Sequence, residues 1–153
     1  MGRQSLQLWA NEKGTRKSNH LIAVKRLGDK GRGGRWVYTA HVFVPDEGKP
    51  YQTGPEISVQ NTRRGTDGRH LTYSAAVQYQ ANPNTQHAGA WAVWRKTGGG
   101  KPGWEKAFVR PIAKEQWHKL TLEFDFDRNR YGWFAVESER EKWSVDLSEM
   151  EIA

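Results

Sequence analysis

Leu71-Thr72-Tyr73-Ser74-Ala75-Ala76-Val77-Gln78-Tyr79-Gln80 alternates along its whole length, with Leu, Tyr, Ala, Val and Tyr at one parity and Thr, Ser, Ala, Gln and Gln at the other. Successive strand side chains point to opposite faces, so this run forms a half-buried strand with one dry and one wet face. Trp36 to Val44 repeats the pattern through Trp36, Tyr38, Ala40, Val42 and Val44, then stops at the turn cluster Pro45-Asp46-Glu47-Gly48. Leu120, Leu122, Phe124 and Phe126 alternate with Lys119, Thr121, Glu123 and Asp125. Further strands are expected at Ser5 to Trp9, His20 to Leu27, Glu56 to Asn61, Gly89 to Lys96, Glu105 to Arg110, Tyr131 to Glu137 and Lys142 to Leu147. Gly31-Arg32-Gly33-Gly34, Asn82-Pro83-Asn84 and Gly98 to Gly103 separate them as turns or loops, and a short helical turn is expected around Ile112 to Gln116. Many short strands at this spacing predict an all-β chain, an antiparallel sandwich or barrel.

With 153 residues and no interdomain linker, a single domain spanning 1–153 is expected. Hydrophobic content is only 36%, but eight Trp, five Tyr and five Phe supply large apolar faces at few positions. The absence of cysteine excludes disulfides, thiolate metal sites and a cysteine nucleophile. The five histidines show no zinc spacing, and Gly98-Gly99-Gly100-Lys101 lacks the phosphate-loop spacing, so neither a metal nor a cofactor is expected. No apolar run approaches the length of a membrane span, and no membrane partner is expected. The formal charge of +7, concentrated in Lys13 to Arg35 and Arg63 to Arg69, favours polyanionic partners such as acidic glycans. Nucleic acid is disfavoured, because no recognition motif accompanies the charge.

The run Trp117-His118-Lys119-Leu120-Thr121-Leu122-Glu123-Phe124-Asp125, followed by Tyr131-Gly132-Trp133-Phe134-Ala135-Val136, resembles the late hairpin of concanavalin-A-like lectins, laminin-G-like domains and glucanases. Ser5 to Leu8 and Trp36 to Pro45 are similar to early strands of that superfamily. The resemblance implies a two-sheet jelly roll with a concave ligand face. It does not choose among hydrolases, lyases and non-catalytic binding modules.

In the glucanases the catalytic strand resembles Glu-x-Asp-x-(x)-Glu, since retaining hydrolysis needs two carboxylates about 5 to 5.5 Å apart. The matching strand here is Glu56-Ile57-Ser58-Val59-Gln60, with one carboxylate left. Gln60 can hydrogen-bond a sugar hydroxyl but cannot shuttle a proton, so no catalytic residue is assigned. Glu123, Asp125 and Asp127 share a parity and superficially fit the same pattern, but the resemblance places the acids on an earlier strand. Asp125-x-Asp127-x-Asn129 also opens like a calcium loop, yet Arg130 and Val136 stand where an EF-hand needs Gly and Glu.

The favoured reading is a non-catalytic, lectin-like domain holding a poly- or oligosaccharide, acidic glycans included. Its expected ligand residues are Glu56, Ser58, Gln60, Arg63, Gln78 and Gln80, together with the stacking candidates Trp91 and Trp94. Trp104 is a further stacking candidate. Trp91 and Trp94 fall at opposite parities, so one of the two is expected in the core. A lyase or glycosidase acting on an acidic glycan, and a structural or protein-interaction domain, stay open as alternatives.

Overall fold

A computed structural model describes residues 34–44, 54–64, 66–81, 88–97 and 99–153. Within them the period-two segments form eight strands: β1 (Arg35–Val44), β2 (Glu56–Arg64), β3 (His70–Gln80), β4 (Ala90–Lys96), β5 (Pro102–Val109), β6 (Gln116–Asp125), β7 (Arg130–Glu137) and β8 (Lys142–Asp146). They make two antiparallel four-stranded sheets, ordered β1-β6-β7-β8 and β2-β3-β4-β5. The described chain is thus an all-β sandwich. The expected strands Ser5 to Trp9 and His20 to Leu27, and the turns at 45–48 and 82–84, lie outside the described residues.

The dry faces meet as the alternation requires. Ile57, Ala75, Val77, Trp91 and Val93 from one sheet pack against Leu120, Leu122, Phe124, Phe134 and Val136 from the other. Trp91 sits at the centre, fully buried, with ring centroids 5.1 Å from Tyr79, 4.9 Å from Phe134 and 5.9 Å from Trp143. Its indole N–H would be stranded there without an acceptor, and the Arg110 carbonyl supplies one at 2.9 Å. In the Trp117-His118 pair the two side chains part by strand parity. Trp117 is exposed and edges onto Phe43, whereas His118 is fully buried with Nε2 2.7 Å from the Ala113 carbonyl.

Two local expectations need correction. The helical turn expected around Ile112 to Gln116 is irregular chain instead, with a bend at Lys114 and Glu115 that leads into β6 at Gln116. Ile112 is buried in the core, the Glu115 N–H donates to the Val44 carbonyl, and Glu115 takes a left-handed φ of 58°, so docking onto β1 wins over local helix formation. β5 begins at Pro102 rather than near Glu105; a proline is tolerated there because the first residue of a strand need not donate to the ladder.

Departures from regular pairing place the side chains that matter most. On β7 the register shifts so that Gly132 and Trp133 together oppose Glu123, a bulge that lets both Tyr131 and Phe134 face the core while Trp133 faces out. A second shift lies between Trp91 and Ala92 on β4.

Candidate functional site

The outer face of the β2–β5 sheet carries Glu56, Ser58 and Gln60 from β2. All three are exposed, while Ile57, Val59 and Asn61 between them turn inward. The register sets Glu56 beside Gln78, Ser58 beside Ala76 and Gln60 beside Ser74, then continues Gln78 to Ala92 and Gln80 to Ala90. Trp94 pairs with Trp104 on the next two strands. A hollow of about 200 Å³ is lined by Glu56, Ser58, Gln60, Ser74, Ala76, Trp94 and Trp104. Short side chains form the floor and two indoles the wall, at a centroid separation of 5.4 Å and an interplanar angle of 70°.

One edge of this face is a polar relay. Gln78 Nε2 donates to Glu56 Oε2 at 2.9 Å, and Gln80 Nε2 donates to Gln78 Oε1 at 2.8 Å. Its direction follows from the chemistry. An ionised carboxylate only accepts, so Gln78 must turn its N–H toward Glu56 and its carbonyl oxygen toward Gln80. The amide orientations are therefore fixed before any ligand arrives.

The floor is opened from beneath. The β3–β4 ladder ends at the pair Val77 and Val93, and past it the strands part. Tyr131 reaches across from β7 to fill the breach: its hydroxyl accepts the Ala76 N–H at 2.9 Å and donates to the Trp94 carbonyl at 2.5 Å. Burial pushes the Tyr131 phenol well above its ordinary value, which keeps the proton that makes the second bond. Farther along, the Ser74 N–H donates to the Ala153 carbonyl at 2.7 Å, and Arg95 forms a bridge with Ile152. Ser74, Ala76 and Trp94 line the hollow because their strands are held apart here.

Most of the expected ligand residues come together. Glu56, Ser58, Gln60, Gln78, Gln80 and Trp94 share the outer face. Two do not. Trp91 packs in the core, 0% exposed, because its parity on β4 is opposite to that of Trp94. Arg63 has the inward parity of Ile57 and Val59 and pairs with Asp127 Oδ1 at 3.1 Å, so it ties the two sheets together away from the hollow. Trp104, Ser74 and Ala76 take their places. The signal for the last two was the parity they share with Gln78 and Gln80.

The acidic row of β6 is occupied by structural work. Glu123 is buried, takes the Trp133 indole N–H at 2.9 Å and pairs with Arg35 at 2.8 Å. Asp125 Oδ1 accepts the backbone N–H groups of Asp127 and Arg128 in the β6–β7 turn, and Asp127 Oδ2 accepts that of Gly34. Among the described residues no group of His, Asp and Glu side chains is arranged to hold a metal, and no helix is long and apolar enough to cross a membrane. Comparison of the chain with protein families, with curated proteins and with solved structures returns no match.

Proposed function

We propose that this protein is a non-catalytic carbohydrate-binding domain that holds a neutral poly- or oligosaccharide on the outer face of its β2–β5 sheet. The observation carrying this reading is a hollow that sets Glu56 and Gln60 opposite an indole wall, Trp94 and Trp104, across a floor of Ser58, Ser74 and Ala76, with Glu56 held from beside the hollow by the Gln78–Gln80 row. A pyranose presents an apolar C–H face and a rim of hydroxyls. The indoles suit the first and the amides and carboxylate suit the second. Trp104 is 39% exposed, so part of its ring is open to a ligand on this face.

Neutral sugar is favoured over acidic sugar because Glu56 is the one ionisable group among the described residues lining the hollow, and its charge opposes a uronate. The same fact argues against retaining hydrolysis, which needs a second carboxylate about 5 to 5.5 Å away. The fold family behind this reading is the concanavalin-A-like jelly roll, on the resemblance of the Trp117–Val136 hairpin. An array of neutral and acidic oligosaccharides tests the proposal. Neutral ligands are expected to bind, with affinity falling about ten-fold, roughly 1.4 kcal/mol, in Trp104→Ala. Absence of any neutral ligand, or unchanged affinity in that variant, would sink it.

A further inference from the structure

The opposite side of the sandwich carries a larger groove. It encloses about 600 Å³, inside the range of roughly 300 to 1,000 Å³ typical of small-ligand sites. The β1-β6-β7-β8 register builds it from three cross-strand rows. The floor is Thr39, Thr121, Ala135 and Ser144, neighbours in sequence across all four strands and all short. One wall is Lys119, Glu137 and Lys142, cross-strand neighbours on β6, β7 and β8. The other holds Val37 and Trp133.

Each wall has a distinct chemistry. Glu137 lies 3.6 Å from Lys119 Nζ and 3.4 Å from Lys142 Nζ, so two ammonium groups share one carboxylate and the row keeps a positive excess. The Trp133 indole N–H is anchored by a carboxylate beside it. Glu123 accepts the indole N–H, its charge is balanced by Arg35, and it fits only because Gly132 has no Cβ, which would overlap the carboxylate. A buried carboxylate on the outward side of a sheet is costly unless it is paired, and this one is paired with the Trp133 indole N–H and with Arg35. What it accomplishes is to fix an indole beside the groove.

From these features we propose that this groove is a second binding site, for an anionic saccharide: ring faces against Trp133 and Val37, hydroxyls over Thr39, Thr121 and Ser144, and a carboxylate or sulfate group at Lys119 and Lys142. The site is independent of the one on the β2–β5 sheet. Its two lysines face one carboxylate, Glu137, whereas the hollow on the other sheet carries Glu56 and opposes anions.

Titration calorimetry with three hexasaccharides tests it: oligogalacturonate, a heparin-derived sulfated oligomer and neutral cellohexaose. At least one anionic oligomer is expected to bind, to weaken as salt rises, and to shift the Trp133 indole N–H resonance in nitrogen-correlated spectra. Lys119→Gln/Lys142→Gln, confined to exposed side chains, is expected to lower that affinity at least ten-fold. Arg69→Gln/Lys101→Gln removes the same charge elsewhere and is expected to change it less than two-fold. The proposal is overturned if neither anionic oligomer binds, if the two double variants weaken binding equally, or if cellohexaose shifts the Trp133 resonance as strongly as the anionic ligands do.

Discussion

Replacing Tyr131 by Phe removes one oxygen from the breach between β3 and β4, and the structure fixes what that oxygen does. It accepts the Ala76 N–H and donates to the Trp94 carbonyl, so its loss leaves a buried donor and a buried acceptor facing each other across a gap. A buried group left unpaired costs about 1 to 3 kcal/mol, and the variant no longer has to desolvate a hydroxyl, so a net loss of about 2 to 4 kcal/mol is expected. With a urea m-value of about 1 to 3 kcal/mol per molar for a domain of this size, the unfolding midpoint falls by roughly 1 to 2 M at unchanged slope. Saccharide affinity on the β2–β5 face is expected to fall as well, because Ala76 and Trp94 line the hollow. A midpoint within about 0.2 M of the parent, with affinity intact, would refute the idea that the hydroxyl holds these strands apart.

The other expectations are shorter. Because the folded Tyr131 phenol titrates above its ordinary value near 10, its contribution is fully present below pH 10 and is lost as pH rises beyond it. Alkaline unfolding curves of the parent should show that limb and those of Tyr131→Phe should not. Lys96 holds the Glu151 carboxyl below its ordinary value of 4.5, so its contribution is present above that value and fades as pH falls. Lys96→Met should flatten the acid limb of a stability-versus-pH series. Gly132→Ala sets a Cβ against the Glu123 carboxylate and should cost about 1 to 3 kcal/mol. Gly132→Ala/Glu123→Ala should recover part of that loss in chemical denaturation, and failure to recover any would show that the clash lies elsewhere.

Strand positions were legible in the sequence wherever alternation was clean, as in Leu71 to Gln80, where Ala75 and Val77 enter the core as their parity requires; the dry and wet faces are less distinct there, because Leu71 is exposed near the strand's start and Ala76 and Gln78 are covered on the outer side. The same parity sorted Trp91 from Trp94 and gathered Glu56, Ser58 and Gln60 on one face. Arg63 lies away from the hollow, and its charge gives no hint of this. It shares the inward register of Ile57 and finds its partner, Asp127, 64 residues away in sequence. The bulge at Gly132 and Trp133 was hidden for a related reason. An extra residue in one strand leaves no periodic trace in a short segment, yet it decides that Tyr131 points inward and Trp133 outward. Nor does the sequence announce that Tyr131 crosses to the other sheet, since that depends on where the β3–β4 ladder ends. Local pattern reports which side of a strand is dry. Long-range partners report what the wet side is for.

The central claim is that the Glu56–Gln78–Gln80 row and the Trp94–Trp104 wall act together as one saccharide site. Its most direct measurement is a titration of the nitrogen-labelled protein with a neutral oligosaccharide chosen from the array, following side-chain N–H resonances. The account expects the Gln78 and Gln80 amides and the Trp94 and Trp104 indoles to shift together along one binding isotherm, while the core Trp91 indole, bonded to the Arg110 carbonyl, stays in place. Shifts confined to other surfaces, or amides and indoles that titrate with different affinities, would contradict it.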